Sequence, residues 1–277
     1  MEKLFIIGDI HFGLDVDKPM DVFGSQWENH TAKIAESWQS RITEDDITVV
    51  NGDLSWGINS QETRRDLALL DSFPGRKILV KGNHDLWWDT MAKVTRFFRS
   101  EDLSSLLPLY NSAFFLPKMN LLICGTRGWK VPENTDYGPS DAKVLRREML
   151  RFEASVNYGL ALARGKRGAA AETLDFGGES VIQSTPPEII AVFHYPPFDY
   201  GTKHDAGWET LLARYGIKRC FFGHVHNAGS CKRNEAGEVL PVLQRDGVSY
   251  YLTAADFLGF EPMEIAPAAA PEALPQS

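Results

Sequence analysis

Cysteine is scarce in this chain. Its three residues (Cys124, Cys220 and Cys231) are odd in number and form no C-x-x-C pair, so a disulfide frame is excluded and reduced thiols in a cytoplasmic protein are expected. Long hydrophobic runs are absent too. Leu4 to Ile7 stops at Gly8-Asp9, too short for a secretory leader, and nothing approaches the ~18 apolar residues a membrane span needs. Positive charge is not in excess: 29 Lys and Arg face 37 Asp and Glu, a formal net charge of -8. That balance weighs against nucleic acid as a partner, and the missing span leaves no membrane partner expected. No internal repeat is visible.

What is present is enough apolar sequence for a core, 43% hydrophobic residues over 277 positions. A single domain over residues 1–262 is expected, with an inserted helix and loop at about 129–187, and an Ala/Pro-rich tail at 263–277 that reads as disordered. Short β-branched or aromatic runs alternate with helix-period stretches, the pattern of an α/β layered fold. Five runs, Lys3–Ile7, Ile47–Val50, Lys77–Val80, Ile189–Phe193 and Arg219–Phe222, each stop at a polar cluster containing Asp, Asn or His. Ligands of open α/β sheets sit outside the carboxyl ends of strands, so five such ends point to one site. Helical periodicity covers Trp27–Ile42, Gln61–Leu70 and Asp141–Ala163. Phe114–Cys124 reads as a hairpin turning near Pro117–Asn120, Arg164–Pro187 as a loop, and Val248–Leu252 as a closing strand.

The polar clusters carry metal-ligand chemistry. Asp9 and His11 stand two apart, as do His224 and His226, a spacing that places both side chains on one face of a straight strand. Asp53 offers two oxygens to bridge two cations, Asn83 a neutral carbonyl, and His194 a further imidazole. A mixed oxygen and nitrogen donor set suits Mn, Fe, Zn, Co or Ni better than Ca. Five of the seven histidines fall in these clusters; His30 and His204 read as structural or surface residues.

Asp9-Ile10-His11, Gly52-Asp53, Gly82-Asn83-His84-Asp85, His194 and Gly223-His224-Val225-His226 resemble, in order, the five motifs of the calcineurin-like metallophosphoesterase superfamily. The resemblance implies a four-layer α/β/β/α sandwich of two mixed β-sheets flanked by helices. It implies two divalent metal ions, Mn, Fe or Zn foremost, with Co or Ni also suited. Asp9, His11 and His226 would hold the first with a shared oxygen of Asp53; Asn83, His194 and His224 would hold the second. His84 resembles the family's histidine that serves the leaving-group oxygen, with Asp85 either orienting its ring or acting as an acceptor that caps the following turn. The implied reaction is hydrolysis of a phosphomonoester, a phosphodiester or a nucleotide, since two cations neutralise an anionic ester and lower the pKa of a coordinated water.

The motifs depart from several branches. Ser/Thr protein phosphatases typically read G-D-x-V-D-R-G and G-N-H-E, whereas this chain has Leu54-Ser55-Trp56-Gly57 after Asp53, and Asp85. Trp56 stands where purple acid phosphatases carry their metal-binding Tyr, and His84 where the lipid A pathway pyrophosphohydrolases carry Arg. A nuclease of the same superfamily is the second reading, and a non-catalytic binding module on this fold the third. The stretch 141–167 carries seven basic residues against three acidic ones, which reads as a solvated helix face or as a cap that steers an anionic substrate.

Overall fold

A computed structural model describes residues 2–165 and 185–266. The five apolar runs are strands: β1 (Leu4–Ile7), β2 (Ile47–Asn51), β3 (Arg76–Val80), β7 (Glu188–Phe193) and β8 (Arg219–Phe222). Every residue of β1 and β2 is buried, the burial that continuous apolar runs serve in parallel strands covered on both faces. The remaining strands are β4 (Leu106–Pro108), β5 (Ala113–Leu116), β6 (Leu121–Thr126), β9 (Leu243–Arg245), β10 (Val248–Leu252) and β11 (Met263–Ile265).

They form two mixed sheets, in the orders β11-β1-β2-β3-β4 and β5-β6-β7-β8-β10-β9. Neighbours from β1 to β4 and from β6 through β8 to β10 run parallel, and antiparallel partners (β11, β5 and β9) close the edges beside them. Helices α1 (His30–Arg41), α2 (Ser60–Ser72), α3 (Met91–Ser100), α4 (Asp141–Ala163) and α5 (Trp208–Arg214) complete the described fold. Helix α1 buries Ile34 and Trp38, with Trp38 Nε1 donating to the Pro74 carbonyl at 3.0 Å. Helix α4 lies on the second sheet, where Phe152 meets Phe193 edge-on at 4.9 Å. Among the described residues no helix is long and apolar enough to cross a membrane.

Two expectations change. The domain does not stop at residue 262: Met263–Ile265 pairs antiparallel with β1, with Leu4 opposite Ile265 and Ile6 opposite Met263. Met263 and Ile265 are buried while Glu264 faces Lys3 Nζ at 3.0 Å, an alternation too short to stand out beside the Ala/Pro-rich sequence that follows. Residues 267–277 of the expected tail, and 166–184 of the expected loop, lie outside the described residues. Val248–Leu252 is a strand, but an interior one between β8 and β9.

Candidate metal centre

The strand ends deliver the predicted donors to one place. Beyond Ile7 and Asn51 the two chains keep pairing through their loops: the N–H groups of Asp9, His11 and Phe12 donate to the carbonyls of Gly52, Asp53 and Leu54 at 2.9–3.0 Å. Gly8 N–H donates to Thr253 O at 2.7 Å, which ties the first sheet to the second. Gly223 N–H donates to His194 O at 3.0 Å. Backbone groups that must be satisfied once buried therefore weld the motifs to one another.

Two of the motif glycines are required by close approach. A Cβ on Gly82 would stand 2.1 Å from the Asp53 Oδ1, and one on Gly223 would stand 2.3 Å from the Asp9 Oδ2. Asp9 (φ 56°), His11 (φ 46°), Asp53 (φ 51°) and His224 (φ 69°) themselves adopt left-handed backbone, uncommon outside glycine and frequent at functional sites. The straight-strand geometry expected for Asp9 and His11 is thus replaced by a turn that folds both side chains inward.

Asp9, His11 and His226 form one cluster and Asp53, His194 and His224 a second; within each, one potential ligand atom per residue lies within 4.8 Å of the others. The Asp53 carboxylate stands between them, with Oδ2 3.7 Å from His11 Nε2 and Oδ1 3.5 Å from His194 Nε2. Asn83 joins the second cluster, its Oδ1 2.7 Å from His194 Nε2. His11 Nε2 and His226 Nε2 face each other at 3.3 Å, close to the separation of two nitrogens held at ~2.0–2.1 Å on one tetrahedral ion.

The supports behind the rings fix which nitrogen faces inward. His194 Nδ1 lies 3.2 Å from the Asn51 carbonyl, and His226 Nδ1 3.1 Å from Asp256 Oδ1. Each ring donates outward and turns its Nε2 to the centre, the arrangement usual for metal-ligating histidine. His30 braces the first cluster from outside, Nε2 3.1 Å from the His11 carbonyl.

Electrostatics point the same way. Burial holds the Asp9 carboxyl well above the usual carboxylate range and raises Asp53 as well. Among the described residues neither pairs with a lysine or arginine. Burial also pushes the His194 and His224 imidazoles down to about 3, helped by the neighbouring histidines. Buried carboxylates without lysine or arginine partners, with the neutral imidazoles of His194 and His224 beside them, are a donor set that fits divalent cations.

His84 is not among the ligand clusters. Its half-exposed ring lies against Trp56 at 4.4 Å, with Nε2 4.0 Å from Asp53 Oδ2. Trp56 in turn stacks on His11 at 4.6 Å. Asp85 requires a correction: it does not orient His84. Its Oδ1 accepts from Leu54 N–H at 2.9 Å and Trp87 Nε1 at 3.1 Å, and its Oδ2 accepts from Gly82 N–H at 2.7 Å. Fully buried, it clamps the loop carrying Asp53 to the loop carrying Asn83. Asp256, Trp56 and His30 were missed as site residues; only Trp56, three positions after Asp53, had a sequence signal.

Comparison with known proteins places this geometry. The model of the calcineurin-like phosphoesterase family matches residues 2–228, a span that holds all seven donors and His84 but not Asp256. The gene 66 protein of Mycobacterium phage L5 is 31% identical over 85 residues, which cover 31% of this chain and 41% of that protein. The chain thus matches about two fifths of the length of that curated relative. Protein TT1561 of Thermus thermophilus is 11% identical with a TM-score of 0.50, covering 90% of this chain and 87% of that one, a likeness of fold. Phosphopantetheinyl hydrolase from Mycobacterium tuberculosis is 14% identical with a TM-score of 0.48, covering 99% of both chains. With its family's model matched across most of its length, this chain belongs to the calcineurin-like phosphoesterase family.

Proposed function

We propose that the protein hydrolyses small phosphate esters (phosphomonoesters, phosphodiesters or nucleotides) with a pair of divalent cations held by Asp9, His11, Asp53, Asn83, His194, His224 and His226. The observation that carries this reading is the Asp53 carboxylate set between two clusters, one oxygen toward each. Mn, Fe or Zn suits the mixed oxygen and imidazole donors best, with Co and Ni next. When bound, such cations supply Lewis-acid neutralisation of the phosphoryl oxygens and activation of water.

The chain's own residues do the remaining work. Asp256 and the Asn51 carbonyl accept from the Nδ1–H of His226 and His194, so that each Nε2 faces the centre as the atom that would ligate a cation. His84, exposed at the rim and fixed by Trp56, carries a proton to the leaving-group oxygen. The negative net charge favours a small substrate over nucleic acid. The three free thiols, two of them buried, fit a reducing compartment such as the cytoplasm.

The test is an assay of the Mn-, Fe- or Zn-loaded protein on a chromogenic phosphomonoester, a bis-ester and a nucleotide panel. Turnover should vanish on chelation and return with added metal. Absence of hydrolysis of every substrate under all three metals would refute the reading.

A further inference from the structure

Outside the seven donors, a second concentration of charge lies at the same edge of the molecule. A cavity of about 240 Å³ sits beyond the ends of β3, β4 and β6, against α4. Its walls carry Lys81, Arg127, Arg147 and Arg151 and one carboxylate, Glu148. Three positive charges are therefore in excess in a chain whose formal charge is -8. Gathering like charges on a partly desolvated wall is unfavourable unless an anion joins them.

Glu148 is not sufficient for that. It is buried, and its oxygens are engaged by Thr126 Oγ1 at 2.5 Å and Arg151 Nη1 at 2.6 Å. Arg127 Nη2 and Arg147 Nε each stand 3.8 Å from it, too far for a hydrogen bond. Among the described residues neither of those guanidinium groups has a hydrogen-bond acceptor. Arg127 and Arg151 are held in place. Arg127 lies over the Trp129 ring at 4.4 Å, and Arg151 Nη2 donates to Tyr110 Oη at 2.7 Å. A guanidinium fork held on an aromatic face with unspent donors, as Arg127 is, matches the oxygens of a phosphate, and Arg147 brings a second set of unspent donors to the same wall. The volume far exceeds the ~10–15 Å³ that one water needs. The cavity also adjoins the metal-ligand loops: Lys81 precedes Gly82-Asn83, and the Arg127 carbonyl accepts from the N–H groups of His194 and Tyr195 at 3.1 and 2.8 Å.

We propose that this cavity is a phosphate-binding subsite, taking one phosphoryl group on Lys81, Arg127, Arg147 and Arg151. The group is either the second phosphate of a doubly phosphorylated substrate or free inorganic phosphate; the recognition chemistry is the same.

Equilibrium dialysis of labelled inorganic phosphate against the manganese-loaded protein counts the bound anions. Wild-type protein should bind two per chain, and Arg147→Gln/Arg151→Gln one. Arg147→Glu alone, on an exposed side chain that leaves the bonds of Arg151 in place, should weaken the second site about tenfold or more. It carries the test should the double variant not fold. Asp53→Asn should keep the phosphate in the cavity, so failure of the metal centre and failure of this subsite give different counts. Phosphate binding unchanged by both arginine variants would overturn the proposal. With binding weakened, the source follows from kcat/KM for a nucleoside 3′,5′-bisphosphate relative to the 5′-monophosphate. A ratio that drops about tenfold in Arg147→Glu assigns the subsite to substrate, and a constant ratio assigns it to free phosphate.

Discussion

The two donor clusters each set one carboxylate beside two imidazoles, the second adding the Asn83 amide, and they differ most in what stands behind the rings. In the cluster of Asp9, His11 and His226, burial works against a charged His226, but the Asp256 carboxylate behind its ring and Asp9 in front outweigh burial and push it up to about 9. In the cluster of Asp53, His194 and His224, the support behind His194 is a neutral backbone carbonyl, and burial takes both histidines down to about 3. One cluster therefore carries a proton at neutral pH where the other offers bare lone pairs. Ligand identity alone does not set the readiness of a site for a cation; the second layer does.

Asp53 belongs to both clusters and offers the most direct way to break the contrast. Asp53→Ala should bring turnover to background and remove at least one metal equivalent by elemental analysis; full occupancy of both sites would contradict the bridge. His84 should separate chemistry from metal binding. His84→Ala is expected to lower kcat by about 10²–10⁴-fold while metal content stays at the wild-type level, and an unchanged kcat would remove it from the mechanism. Asp256 should divide the clusters. Asp256→Ala is expected to weaken the first cation by about 10–100-fold with the second unaffected, read by metal titration; equal weakening at both would erase the distinction.

The smallest effect concerns pH. A proton on His226 competes with the first cation, so affinity at that cluster should rise with pH, by about tenfold per unit, until pH approaches 9. His194 and His224, already neutral above pH ~4, exert no such competition at the second cluster. Competition titrations with a chelator between pH 6 and 9 measure both slopes, and parallel slopes would show that the clusters titrate as one.

Most of the centre was legible in the sequence because its donors are concentrated at strand ends and flagged by glycine. Asp9, Asp53, Asn83, His194 and His224 each follow an apolar run that is buried because it is a parallel strand. The supports were not legible. Asp256 lies thirty residues after His226 in a segment without a motif, and only tertiary folding brings its carboxylate behind that ring. Asp85 was visible as a residue but left between two roles, because position after His84 suggests a neighbour while the backbone turns the carboxylate, as an acceptor, toward Leu54 and Gly82. The basic face of α4 was read as solvated or substrate-steering. Nothing in the helical period told which of its arginines turn inward beside Glu148. Strand β11 escaped because three residues are too few to reveal an alternation.

The left-handed conformation of Asp9, His11, Asp53 and His224 bears on how this protein can be made more robust. Each such residue costs about 1–2 kcal/mol relative to a relaxed backbone, and glycine at those positions would recover part of it. Every such replacement, however, deletes a side chain of the two clusters proposed to hold the cations. Heat tolerance in this chain must therefore be sought in its helices, loops and sheet edges, since the proposed catalytic rim has no concession to make.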